Sequence, residues 1–166
     1  RVGVSIERKK SKEGTAKLGP YGYDKIELVI APNKGEPLKP LRSIASGGEL
    51  SRIMLAIKTV LSGNDNLSTL VFDEIDAGIG GKVGVAIGEH LYRLGEQKQI
   101  LCITHLASIA VRADNHIRIE KNEKQDRTVT DLQPITGEER IIEIARMLSG
   151  DAGGEASYAH AKQMLE

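Results

Sequence analysis

The strongest constraint on the fold is a strand, a helix and a strand read in close succession. Leu70-Val71-Phe72 is a short continuous apolar run, the pattern of a strand buried on both faces. After the glycine-rich Gly78-Ile79-Gly80-Gly81, the residues Val83, Ala86, Ile87, His90, Leu91 and Leu94 recur with helical period, and Gly95 ends the run. Ile100-Leu101-Cys102-Ile103 is a second buried-strand pattern. Two such strands joined by one helix predict a parallel βαβ unit with a right-handed crossover. The chain is therefore expected to be α/β.

The flanks add to this unit. Val2, Val4 and Ile6 alternate with period two, as do Ile26, Leu28 and Ile30 after Tyr21-Gly22-Tyr23, so an antiparallel pair is expected at the start. Asn33-Lys34-Gly35 is a turn signal, and Pro37 and Pro40 bar a helix there. Leu50, Ile53, Met54, Ile57, Val60 and Leu61 form one apolar helix face, with Ser46 placed to cap it and Gly63-Asn64 to end it. Beyond the βαβ unit the pattern predicts a short helix from about Leu106 and a strand at Ile117 and Ile119. A polar turn from Lys121 to Arg127 then leads to a returning strand at Val129 and Leu132. Ile141, Ile144, Ala145 and Leu148 mark a helix that stops near Gly150, and Tyr158, Ala161 and Leu165 a last one. Residues 1–166 are expected to form a single domain.

Composition narrows the function classes. Apolar residues make up 40% of the chain, enough for a core, but aromatics are only 3%, so Ile, Leu, Val and Ala must fill it. The formal net charge is zero, so no overall electrostatic pull toward nucleic acid or membrane follows. The single cysteine, Cys102, excludes an intrachain disulfide and suits a reducing compartment. No apolar run reaches the length of a membrane span, and no signal peptide is visible. The chain starts at Arg1 directly in a strand-like pattern, which leads us to expect a piece of a longer protein.

Four short features carry chemistry. Ser46-Gly47-Gly48-Glu49-Leu50-Ser51 opens an amphipathic helix, where glycines permit close backbone approach and free N–H groups favour an anion such as phosphate. Taken alone, it is more often an ordinary helix start. Asp73 and Glu74 end the first buried strand, where α/β sheets place ligands. Asp73 can hold a magnesium ion, directly or through water, and Glu74 can orient and deprotonate an attacking water. Alone, this pair reads equally as a solvated acidic loop. Asp76-Ala77-Gly78 is a tight polar loop directly behind it. Thr104-His105 ends the next strand, where a histidine can bond a terminal phosphate oxygen, although a lone histidine is more often structural. If the two strands are neighbours, Asp73, Glu74 and His105 share one sheet edge, and their joint occurrence outweighs each bland reading.

These residues resemble the ABC ATPase superfamily. Ser46-Gly47-Gly48-Glu49 resembles its signature motif, Leu70 to Glu74 its Walker B strand, Asp76 its D-loop aspartate and His105 its switch histidine. Ala45 stands where transporters have leucine, and Glu49 replaces their glutamine, which points to the SMC-like branch. Within it, Gly35 to Leu41, Ala45 to Ile57, Phe72 to Ile79, Thr104 to Leu106 and Ala145 to Gly150 are similar to the RecN family of bacterial DNA repair proteins. That resemblance covers nearly the whole chain from about Tyr21. It implies the carboxyl-terminal lobe of a split ATPase head, with a largely parallel sheet, flanking helices and an antiparallel element at its start. Implied cofactors are ATP and Mg2+. Implied partners are the amino-terminal P-loop lobe of the same protein, a second head in an ATP-dependent homodimer, and DNA through the full-length protein. A membrane is not implied; the cytoplasm and nucleoid are. Ser46, Gly47, Gly48 and Glu49 would contact ATP held by the partner head. Asp73, Glu74 and His105 would serve ATP held by their own head, and Asp76 would be a further nucleotide-binding residue.

The P-loop itself, G-x-x-x-x-G-K-[ST], is missing from this sequence: Val83 follows Gly81-Lys82, and Asp76 stands where the first glycine belongs. No long heptad run is present either. The chain alone is thus expected neither to bind ATP tightly nor to hydrolyse it. Three other readings stay open: another SMC- or Rad50-like head, a mainly structural ATP-gated clamp, and a stand-alone metal hydrolase using Asp73, Glu74 and His105. Arg8, Lys9, Lys10, Lys12 and Lys17, and separately Lys121, Lys124 and Arg127, form basic loops that are more often solvated than DNA-bound.

Overall fold

The computed structural model describes residues 1–10, 14–16, 18–31, 34–43, 46–61, 66–124, 127–150 and 154–166. Asn33 of the expected turn, the expected helix stop at Gly63-Asn64, and Lys12, Lys17 and Ala45 lie outside them. The chain divides into two units, Arg1–Ser46 and Gly47–Glu166.

In the first unit the expected antiparallel pair forms from β1 (Val2–Arg8) and β2 (Asp24–Ile30). Its register sets Val2 opposite Ile30, Val4 opposite Leu28 and Ile6 opposite Ile26, one aliphatic ladder on one face. A third strand that the sequence pattern did not suggest, β3 (Lys39–Pro40), pairs with β2, with Val29 opposite Pro40. Proline is admissible there because β3 lies at the sheet edge. A single 3-10 turn, Leu41–Ser43, follows.

The second unit contains α1 (Gly47–Leu61), β4 (Thr69–Phe72), α2 (Gly81–Gly95), β5 (Gln99–Cys102) and α3 (Ala107–Ala110). The hairpin strands β6 (His116–Lys124) and β7 (Arg127–Ile135) and the helices α4 (Gly137–Ser149) and α5 (Glu155–Leu165) complete it. β4 and β5 pair in parallel, Val71 opposite Leu101 and Phe72 opposite Cys102, as the βαβ reading requires. Among the described residues this is the parallel part of the molecule; the other two sheets are antiparallel. The architecture is α/β with mixed sheets and flanking helices; among the described residues one βαβ crossover makes the parallel neighbours.

The core of this unit is aliphatic apart from Phe72, in keeping with the scarcity of aromatics. Leu55, Phe72, Ile75, Ile87, Leu91, Leu94 and Ile109 form one buried cluster. Ala107, Ala110, Ile144, Ala145 and Ala161 join α3, α4 and α5 in a second. Gly84 and Gly88 let α3 come close to α2: a Cβ on Gly88 would lie 2.9 Å from the Ser108 carbonyl oxygen. Gly150, in the left-handed conformation at φ 77°, ends α4.

Two sequence expectations change. β4 and β5 were expected to be buried on both faces, but only one face is covered. Phe72 is buried, whereas Val71 is 65% exposed and Leu101 and Ile103 are about half exposed. The helix α1 forms where expected, yet much of its apolar stripe is exposed: Leu50, Met54 and Leu61 are exposed and Val60 is 82% exposed, while Ile53 and Ile57 are half-buried. The inward side of α1 carries Gly48 and Leu55, both buried, with Ser51 and Arg52 between them. Apolar periodicity marks a face, but which face meets the core here is decided by polar bonds to the loop after β4.

Candidate functional site

The loop after β4 is built from alternating demands. Asp73 and Glu74 are exposed, while Ile75 is fully buried in the aliphatic core and anchors the loop. Asp73 Oδ1 accepts the Glu74 N–H at 2.9 Å. Glu74 sits at φ 55°, a left-handed conformation that costs a non-glycine residue about 1–3 kcal/mol and is retained only where surroundings enforce it. The Glu74 carbonyl accepts the Ala77 N–H at 3.0 Å, closing a turn. Together these bonds hold the Glu74 side chain at the carboxyl end of the parallel pair, where such sheets bind ligands.

Asp76 is 3% exposed, and its carboxylate is directed at the end of β5 rather than outward. Asp76 Oδ2 accepts from Thr104 Oγ1 at 2.5 Å, from the His105 backbone N–H at 2.7 Å and from His105 Nδ1 at 2.9 Å. Thr104 Oγ1 in turn accepts the Leu106 N–H at 3.0 Å. Burial alone would raise the Asp76 carboxyl, but the bonds from Thr104 and His105 and the charge of His105 leave it below the ordinary 3.8. The carboxylate thus works as a clasp between two loops. His105 Nδ1 is used on Asp76, and the ring, 70% exposed, offers Nε2 outward. Cys102, beneath this edge, is pushed up to about 11 by burial and by the negative charges of Asp76 and Asp73, so its thiol stays protonated at neutral pH.

The first turn of α1 lies against the same loop. A Cβ on Gly47 would stand 2.6 Å from Glu74 Oε2, and one on Gly48 would stand 2.7 Å from the Glu74 carbonyl oxygen. Gly48 is therefore required by packing against backbone inside this chain, whereas the atom facing Gly47 is the end of the exposed Glu74 side chain, which can move aside. Ser51 Oγ donates to the Asp73 carbonyl at 2.8 Å. Arg52 Nη1 donates to the carbonyls of Ile75 at 3.1 Å and Ala77 at 3.0 Å. Reading the sequence as a phosphate-binding helix start did not single out Ser51 and Arg52 for this work. Their spacing of three and four residues from Gly48 could have done so, because it puts all three on one helix face.

The site residues therefore fall as follows. Asp73, Glu74 and the Thr104-His105 pair share the carboxyl end of adjacent parallel strands, as expected from the sequence. Gly47 and Gly48 abut Glu74. Ser46 is exposed directly before α1, and Glu49 is partly exposed in its first turn. Among the described residues no group of three or more His, Cys, Asp and Glu could hold a metal ion. Asp73 offers an exposed hard oxygen, which fits Mg2+ arriving with a nucleotide whose phosphates and waters complete the shell. Among the described residues no helix is long and apolar enough to cross a membrane.

No family model matches the chain. Curated relatives do. The chain is 50% identical over 165 residues to the DNA repair protein RecN of Treponema pallidum (strain Nichols), covering 99% of this chain and 29% of that protein. It is 42% identical over 172 residues to RecN of Streptomyces coelicolor, covering 100% of this chain and 30% of the relative. Against RecN of Bacillus subtilis it is 42% identical over 149 residues, covering 90% and 26%. The chain thus spans under a third of the length of these relatives. Among solved structures, the Smc head domain from Pyrococcus yayanosii superposes with a TM-score of 0.53 at 18% identity, covering 81% of this chain and 24% of that one. An Smc head bound to the winged-helix domain of ScpA gives 0.50 at 18% identity, covering 83% and 38%. At that identity the likeness shows the fold. The chain belongs to the RecN family of DNA repair proteins, as a segment that has the fold of an SMC head.

Proposed function

We propose that this chain is the carboxyl-terminal lobe of a RecN-type ATPase head and that the complete protein uses it to hydrolyse ATP during recombinational repair of DNA double-strand breaks. The observation that carries the proposal is the joint placement of Asp73, Glu74 and His105 at the carboxyl end of one parallel strand pair, clasped together by Asp76. Domain 1–166 is then half a head, and the P-loop lobe of the same protein supplies the lysine and amides that this sequence lacks. The uncovered aliphatic face of Val71, Leu101 and Ile103 supports a missing neighbour of that kind.

In this reading Asp73 holds Mg2+ bound with ATP, and the ion neutralises phosphate charge. Glu74 orients the attacking water and takes its proton. His105 faces the terminal phosphate through Nε2. Asp76 holds Nδ1, which fixes the ring and leaves Nε2 for the nucleotide. Asp76 is then a positioning residue rather than a direct nucleotide ligand. Ser46, Gly47, Gly48 and Glu49 are assigned to ATP held by a second head, which makes closure of the homodimer ATP-dependent. The cytoplasm, with the nucleoid as the site of action, suits such a protein.

The trans assignment is tested by Ser46→Arg in the complete protein. ATP binding by the monomeric head should stay nearly unchanged while ATP-dependent dimerisation, read by sedimentation, disappears. Loss of ATP binding by the monomer would contradict it.

A further inference from the structure

We propose that Arg52 is a positioning residue that ties the start of α1 to the Asp73–Ala77 loop, so that whatever seats against the signature helix also sets where Glu74 and His105 stand. The proposal rests on the reading of Glu74 and His105 as groups that serve ATP.

Three carbonyls of the loop are held from one helix face. Ser51 takes that of Asp73, and Arg52 takes those of Ile75 and Ala77 through the same Nη1. The residue between the two Arg52 acceptors is Asp76, whose side chain holds Thr104 and His105. A continuous chain of hydrogen bonds therefore runs from α1 through Arg52 and the loop backbone to the histidine after β5. Gly48 belongs to the same device. It lies four residues before Arg52, and a Cβ there would stand 3.0 Å from Arg52 Nη1 and 2.7 Å from the Glu74 carbonyl oxygen. Glu74, already in a left-handed conformation, has its carboxylate beside Gly47 and so feels any shift of the first helical turn. The motif Ser46-Gly47-Gly48-Glu49-Leu50-Ser51-Arg52 thus has two faces. Its leading end can meet a nucleotide, while Gly48, Ser51 and Arg52 hold the acidic loop. Two ATP molecules served by one lobe are coupled through this face.

The test uses the complete protein carrying Arg52→Ala and Arg52→Lys. Arg52→Ala should lower kcat by about 10–100-fold, as small misplacements of catalytic groups do, while KM for ATP stays within about twofold. Arg52→Lys should recover part of that loss, and guanidinium ion in solution should raise the Arg52→Ala rate without raising that of the wild type. Amide hydrogen exchange over Glu74 to Gly78 and at His105 should quicken in both variants, since a local opening held by these bonds becomes easier. Wild-type kcat in Arg52→Ala would overturn the proposal, as would a raised KM with unchanged kcat, or a loss that neither lysine nor guanidinium relieves. If Arg52→Ala does not fold, Arg52→Lys with unchanged kcat and unchanged exchange overturns it alone. A wild-type protein with no ATP turnover would instead defeat the ATPase reading, and the exchange measurement would still decide whether Arg52 holds the loop.

Discussion

At the scale of single residues, Gly48 shows why a motif read from sequence can have two causes. In the sequence its missing side chain suits a phosphate, and in the fold the same gap admits the Glu74 carbonyl oxygen. The two uses make different demands. Alanine at Gly48 would gain about 1 kcal/mol of helix propensity. Against that, the clash is with backbone held in a turn, and overpacking of this kind costs about 1–3 kcal/mol. The clash should win. Gly48→Ala should therefore lower the melting temperature of this chain even without ATP, as followed by circular dichroism. A raised melting temperature would show that the helix start can move away from the loop at no cost. Ile75 illustrates the opposite case. Nothing in the sequence marked it apart from the carboxylates around it, yet its complete burial is what keeps them in place.

At the scale of elements, the strands and helices were legible because their periods differ so clearly. The βαβ unit, both hairpins and the two closing helices follow the apolar pattern closely. Three things were not legible. The largely exposed stripe of α1 looked like a core-facing stripe because period reports an apolar face and says nothing of what covers it. β3 was hidden by Pro37 and Pro40, which forbid a helix but not an edge strand. The clasp between the loop after β4 and the end of β5 involves residues far apart in sequence, so Asp76 was legible as a loop aspartate but not as a buried acceptor. That clasp has a pH signature. Because the Asp76 carboxyl is lowered in the folded chain, its contribution to stability is fully present above the ordinary 3.8 and is lost as pH falls through the lowered value. Asp76→Asn should destabilise the fold by about 1–3 kcal/mol at neutral pH, since it disturbs a buried acceptor that several donors share. In urea denaturation series the gap between wild type and variant should stay constant from neutral pH to about 4 and narrow below it. A gap that widened in acid would contradict the assignment.

At the scale of the whole molecule, the second unit leaves one face of its parallel pair bare, and contiguous exposed apolar surface of this kind marks an interaction site. Val71, Leu101 and Ile103 form that face. The isolated chain should therefore self-associate with rising concentration in sedimentation velocity, and Leu101→Glu should make it monomeric. The same substitution in the complete protein should depress ATP turnover by weakening the join between lobes. If the isolated wild-type chain stays monomeric at high concentration, and Leu101→Glu leaves turnover intact, this face has no such partner.

If the shared sheet edge of this chain supplies the catalytic carboxylate for ATP hydrolysis, as proposed, Glu74 is where that role is most directly measured. The measurement is ATP turnover, with bound ATP quantified in parallel, by the complete protein carrying Glu74→Gln. Turnover should fall by about 100-fold or more, as expected for loss of a general base, with ATP still bound and the dimer held shut. Normal turnover in Glu74→Gln would contradict it.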